Sequence, residues 1–166
     1  MCCAIGFGPR TSIDKREVTP VVFAPRWGVY VVALDAENGR LLWSTPKAPG
    51  GRSTTGSLFG VDAKHAYVCG DHIQAINLAD GAPDWTWEAQ KVASSDLGFA
   101  ALAGDRIYMP VEGKIYVLSA AEGRELEKLD ALNSESDPPG FAAVLPFPNL
   151  LLMTTRDRVV AFGPAQ

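Results

Sequence analysis

The chain is short of most features that would classify it at sight. Its 166 residues include three cysteines, Cys2, Cys3 and Cys69, an odd number that excludes a closed disulfide framework and leaves the redox compartment open. It lacks an apolar run near the roughly 18 residues that cross a bilayer as a helix, so no membrane span is expected. No basic segment leading into an apolar one opens it, so no signal peptide is read either. Positive charge is not in excess: 15 Lys+Arg stand against 19 Asp+Glu, for a net −4. That balance argues against nucleic acid, whose phosphates need a basic face. Gly6-Phe7-Gly8 has neither the third glycine nor the strand-to-helix setting of a dinucleotide fingerprint. A phosphate loop with Gly-Lys-Ser/Thr and a Gly-x-Ser-x-Gly elbow are both missing, which removes nucleotide-binding and serine-hydrolase readings.

Chain breakers are plentiful. With 16 Gly and 12 Pro, long helices have little room and short strands joined by turns are expected. Hydrophobic residues at 47% are enough for a packed core and place the chain among globular domains.

Three segments align without gaps: Ala33 to Trp43, Ala75 to Trp85, and Val117 to Glu127. Their glycines, Gly39, Gly81 and Gly123, recur every 42 residues. A shorter fourth copy, Val160-Ala161-Phe162-Gly163, puts Phe162 where the others have Leu34, Ile76 and Leu118. A period of about 40–45 residues is that of four-stranded propeller blades. Within each copy, runs such as Gly28–Leu34, Ala66–Val68, Ile107–Met109 and Ile115–Leu118 have the β-branched and aromatic content of strands. Turn signals at Pro25–Gly28, Cys69–His72, Val111–Lys114 and Thr155–Arg158 separate second from third strands. First strands are expected around Ser57–Gly60, Gly98–Leu102 and Gly140–Val144.

The turn after the third strand carries the most information. Asp35, Asn77 and Ser119 can accept hydrogen bonds from backbone amides two or three residues on, and the glycine four residues later suits a left-handed position. Trp43 and Trp85, four residues past the glycine, are expected on the outermost strand, covering the joint with a neighbouring sheet; Glu127 takes that place in the third copy. A helix over Ser119–Leu132 is the rival there, since Ser119 and Glu122 resemble a capping box. The repeat alignment favours a strand.

The pattern Ala-x-Asp-x-x-x-Gly-x-x-x-Trp at 33–43, repeated at 75–85 and in weaker form at 117–127, resembles the quinoprotein (PQQ-type) β-propeller repeat family, which takes in BamB-like proteins and quinoprotein alcohol dehydrogenases. The resemblance implies an all-β partial β-propeller of about four blades, each a four-stranded antiparallel sheet. The expected division is an N-terminal segment, 1–17, as a stray or closing strand, then PQQ-like repeats over 18–166 with blades near 18–46, 53–88, 95–130 and 139–163. So few repeats leave three arrangements open: a piece of a larger propeller, two copies completing a ring, or an atypical four-bladed ring. By resemblance the chain would be a non-catalytic structural or protein-binding scaffold, its partner another protein or the remaining blades, with self-association as a further option. The alternative is a fragment of a PQQ-dependent alcohol or sugar dehydrogenase, with PQQ and calcium as cofactors. A periplasmic or cell-envelope setting is implied by the family alone.

Candidate site residues each have a plainer explanation. The quinoprotein alcohol dehydrogenases carry a neighbouring cysteine pair over the quinone, which Cys2-Cys3 resembles, but Ala4 to Arg10 do not obviously continue that pattern. His65, Cys69 and His72 are zinc-ligand types, yet their irregular spacing around a short strand reads better as strand and turn residues. Asp62, Asp71, Asp105, Asp137 and Asp157 fall in turns, where carboxylates accept backbone hydrogen bonds, and Arg156 and Arg158 read as surface charges. No catalytic, cofactor-binding or metal-binding residue is therefore nominated, and no cofactor is expected.

Overall fold

The computed structural model describes residues 3–25, 31–45, 57–70, 72–88, 99–111, 113–130, 143–154 and 158–163. Every regular element among them is a strand. They form two compact units, Met1–Glu88 and Ala89–Gln166.

In the first unit, β1 (Cys3–Phe7), β4 (Pro20–Pro25), β5 (Val32–Asp35) and β6 (Leu41–Ser44) make one antiparallel sheet in the order β1-β4-β5-β6. A small hairpin interrupts it, β2 (Thr11–Ile13) with β3 (Arg16–Val18). Asp14 and Lys15, at φ 51° and 63°, form its two-residue turn with both central residues left-handed, which matches the twist of the flanking strands. The second sheet is β7 (Ser57–Val61), β8 (His65–Cys69), β9 (Ile73–Asn77) and β10 (Pro83–Trp87), in the order β10-β9-β8-β7. The N-terminal segment 1–17, expected as a stray or closing strand, thus contributes Cys3–Phe7 to the first sheet alongside β4 and the β2–β3 hairpin.

Val22, Ala24, Ala33 and Trp43 of the first sheet meet Leu58, Ala66, Val68, Ile76 and Leu78 of the second in one buried core. The sheets approach most tightly at Gly6 of β1. A Cβ there would lie 2.5 Å from Val61 Cγ2 and 2.9 Å from Leu58 Cδ2, so only a residue without a side chain lets the two strands come this close.

The second unit repeats the scheme. β11 (Ala101–Ala103), β12 (Arg106–Val111), β13 (Lys114–Ser119) and β14 (Glu125–Asp130) form a sheet in that order, and β15 (Ala143–Phe147), β16 (Leu150–Thr154) and β17 (Val159–Phe162) form another. Their shared core holds Ile115, Val144, Leu151 and Met153. The helix considered over Ser119–Leu132 does not form: Gly123 sits at φ +67°, a left-handed residue that ends any right-handed helix, and Glu125–Asp130 pairs with β13 instead. The first strand of this sheet begins at Ala101, with Phe99 bridged to Ala143. The turn signals at Pro25–Gly28 and Thr155–Arg158 and the starts of the strands expected at Gly28, Gly98 and Gly140 lie wholly or partly outside the described residues.

The 42-residue period is visible in individual hydrogen bonds. The amides of Gly39, Gly81 and Gly123 donate to the carbonyls of Asp35, Asn77 and Ser119 at 2.8, 2.9 and 2.8 Å, and the amides of those three residues take Arg40, Ala82 and Arg124 carbonyls at 2.8 Å each. One residue on, Ala36, Leu78 and Ala120 donate to the carbonyls of Thr19, Lys64 and Asp105 at 2.9, 2.8 and 2.9 Å, tying each turn to the segment before the second strand. The pairing register then slips once per copy: Ala33 faces Trp43 but Leu34 faces Leu41, Ala75 faces Trp85 but Ile76 faces Pro83, and Val117 faces Glu127 but Leu118 faces Glu125. Leu42, Asp84 and Leu126 are therefore the extra residues of three equivalent β-bulges, which bend and re-aim the outermost strand.

Candidate functional site

The repeat's turn uses the side chains of Asp35 and Asn77, as the sequence suggested. Asp35 accepts from Glu37 N at 3.0 Å and from Asn38 Nδ2 at 2.7 Å, and Asn77 accepts from Ala79 N at 2.8 Å. Trp43 does cover a joint, as expected of it: its indole Nε1 donates to Leu78 O at 2.6 Å, and its ring lies over Gly81, where a Cβ would come within 2.6 Å of Cε3. The second sheet's turn is thus fitted to the first sheet's tryptophan.

A buried group of titratable side chains lies on the second sheet. His65 and Tyr67 alternate along β8 and so share a face; the bulge at Asp84 turns its carboxylate toward that face. His65 Nε2 and Asp84 Oδ2 are 2.8 Å apart. Tyr67 donates its hydroxyl proton to Asp62 Oδ2 at 2.6 Å, and its oxygen lies 3.2 Å from His65 Nδ1. The other oxygen of Asp62 accepts from the amides of Lys64 and His65, both at 2.7 Å, the turn role expected of this residue. Phe59 and Trp85 pack around Tyr67, with ring centroids 6.1 and 6.0 Å away. Tyr67 is fully buried and His65 nearly so, while about half of the Asp84 side chain is open to solvent.

Burial works against the Asp62 charge, but the hydrogen bonds from Tyr67, Lys64 and His65, together with the neighbouring imidazole, outweigh it and hold the carboxyl below its usual value. Tyr67 goes the other way. Burial first, then its bond to Asp62 and the negative charges of Asp62 and Asp84, keep the phenol protonated far above its ordinary range, so it cannot act as a base near neutrality. A carboxyl whose value falls on folding stabilises the fold above its unfolded pKa of about 4, and that contribution is lost as pH falls through the folded value. Asp62→Asn is expected to flatten the acid limb of stability against pH, below about pH 4, in urea unfolding carried out at successive pH values.

Cys69 stands at the far end of β8 from His65, about 13 Å along the strand at its ordinary rise, and His72 follows in the next turn. The three are not brought together. Burial pushes the Cys69 thiol up to about 12, so it stands as the neutral thiol near neutrality. Among the described residues no group of three His, Cys, Asp or Glu side chains is placed to hold a metal ion. Cys2 lies outside the described residues, and Cys3 opens β1, paired across the ladder with Pro25. Asp71, Asp137, Asp157 and Arg156 also lie outside them. A cleft of about 490 Å³ in the first unit, lined by Ile13, Val18, Asp35, Arg40 and Leu42 among others, does not include the His65 cluster.

Sequence reading missed that cluster. The available signal was Tyr67 in the expected strand Ala66–Val68 with His65 just before it, and an acidic residue, Asp84, one before the repeat's tryptophan.

The family model of outer membrane protein assembly factor BamB matches residues 20–137. Among solved structures, the chain is similar to BamB from Moraxella catarrhalis, with a TM-score of 0.60 and 18% identity over 96% of this chain and 50% of that one. It is also similar to quinohemoprotein alcohol dehydrogenase from Comamonas testosteroni, with a TM-score of 0.52 and 15% identity over 68% of this chain and 20% of that one. The chain spans about half the length of that BamB chain. At these identities the likeness speaks for the fold, a partial β-propeller. No curated protein sequence matches it.

Proposed function

Because the chain belongs to the BamB family, within the PQQ-like quinoprotein propeller superfamily, we propose that it is a non-catalytic scaffold that holds another protein in the cell envelope. One observation carries this reading: the polar groups it buries are used up in building the sheets. Among the described residues each buried side-chain nitrogen or oxygen has a hydrogen-bond partner within the protein. The cluster around His65 ties the β7–β8 turn to the bulge in β10 through bonds of 2.6 to 2.8 Å. Tyr67 is fully buried and held protonated, and the cluster stands apart from the cleft beside Ile13 and Leu42.

The matched family is named for outer membrane protein assembly, so the partner proposed is a protein component of such an assembly. The experiment that tests the scaffold against the dehydrogenase reading is titration of the purified chain with PQQ and calcium. Absorbance and dye reduction are followed with alcohols and sugars as donors. The scaffold reading expects no saturable PQQ binding and no donor-dependent dye reduction. Saturable binding with alcohol- or sugar-dependent reduction would overturn it in favour of a dehydrogenase fragment.

A further inference from the structure

Alternation along β15, β16 and β17 gives the last sheet two faces. One carries Val144, Leu151, Met153 and Phe162 and packs on Ile115. The other carries Leu145, Phe147, Leu150, Leu152, Val159 and Ala161, matched across the strands as Leu145 with Leu152, Phe147 with Leu150 and Leu152 with Ala161. Four of these are conspicuously open: Leu145 at 48%, Phe147 at 55%, Leu150 at 38% and Val159 at 65%. A sheet apolar on both sides has the composition of one stacked between two others, and an uncovered patch of this kind marks an interaction surface.

The first sheet has the complementary feature. Its Gly6, Val22 and Ala33 side is packed on the second sheet. Its opposite side runs Ile5, Phe23, Val32 across the ladder, then Phe7, Val21, Leu34 and Leu41, with Ile5 at 54%, Phe7 at 70% and Leu41 at 58% exposed. Each chain therefore carries one largely open face of each kind, with Val21 the buried residue on the first. These are the two faces that meet wherever sheets of this repeat stack, as between the first and second sheets.

We propose that a second copy of this chain covers both. The uncovered face of the last sheet of each copy docks on the uncovered face of the first sheet of the other, giving a two-fold pair with two equivalent contacts. A second copy is the chosen occupant because it presents the counterpart of each face, the same pair of surfaces that pack together between the first and second sheets. Neither face places a charged side chain among its paired residues; Arg16, Glu17 and Arg40 stand only at the Leu41 edge. The contact is heterologous, and pairing two copies closes it where a single contact would propagate. It rests on the repeat fold alone and is independent of the scaffold reading.

Light scattering on the eluting 166-residue chain is the test, with Phe147→Asp and Phe7→Asp as variants. Both positions are exposed within the chain, so far-UV circular dichroism and the melting transition should stay as in the parent. The expected mass of the parent is twice the 17.7 kDa of one chain. Each variant should self-associate about 100-fold more weakly, since a carboxylate would be buried in an apolar contact. Mixing the two should restore some dimer, because Phe147→Asp keeps the first-sheet face and Phe7→Asp keeps the last-sheet face. A monomeric parent would overturn the proposal, as would a dimer that neither substitution weakens.

Discussion

Replacing Trp43 with alanine is expected to destabilise the first unit by about 3–5 kcal/mol, the usual range for removing a buried tryptophan. Against a total stability of about 5–15 kcal/mol for a domain, this leaves the fold marginal, and the melting or urea midpoint should fall accordingly. Three effects combine in that figure. The ring is 6% exposed and forms part of the core between the first and second sheets. Its indole donates to Leu78 O at 2.6 Å, so its removal leaves a buried carbonyl without its partner. The surface it covers is the glycine turn of the next repeat, which would then open to a cavity. Loss of no more than about 1 kcal/mol would mean that the tryptophan decorates the joint without holding it.

Gly81→Ala should have the second large effect, and for a different mixture of reasons. At φ +75° any residue with a Cβ costs about 1–2 kcal/mol. The new methyl would also press on the Trp43 ring at 2.6 Å, adding about 1–3 kcal/mol of overpacking. Gly39 separates the two contributions. It has the same backbone, φ +71°, with open space around it, so Gly39→Ala should show the backbone cost alone. In a Trp43→Ala background, Gly81→Ala should fall to the same smaller value, because the clash has been removed. Equal costs for Gly39→Ala and Gly81→Ala in the parent chain would show that the tryptophan does not sit where the structure puts it.

These two residues also mark how far the sequence could be read. Gly39, Gly81 and Gly123 are legible because a left-handed turn admits few residues, and so the requirement is local and recurs with the repeat. Trp43 was legible for the same reason once the copies were aligned. The bulges at Leu42, Asp84 and Leu126 were not, since a position that takes either Leu or Asp carries no residue-type signal; the bulge is imposed by the turn and the ladder together. The His65, Tyr67, Asp62 and Asp84 cluster was hidden for a related reason. Asp84 reaches His65 across 19 residues of chain because β8, β9 and β10 lie side by side, a juxtaposition that exists only after folding. The strand at Cys3–Phe7 had its signal in the open, Ile5 and Phe7 alternating around Gly6, but the repeat pattern that organised everything else begins after it. Its place beside β4 comes from the antiparallel ladder with Val21–Pro25, while Gly6 allows the close approach to Val61 and Leu58 of the second sheet.

The central claim is that one 42-residue module, turn and bulge included, is built three times over. Nuclear Overhauser contacts across the third and fourth strands test it most directly. The account predicts close contacts between Leu34 and Leu41, Ile76 and Pro83, and Leu118 and Glu125, next to contacts from Ala33, Ala75 and Val117 to Trp43, Trp85 and Glu127. The single skipped residue should be the same in all three copies. Helical medium-range contacts through 119–130, or a register without the skip in any copy, would contradict it.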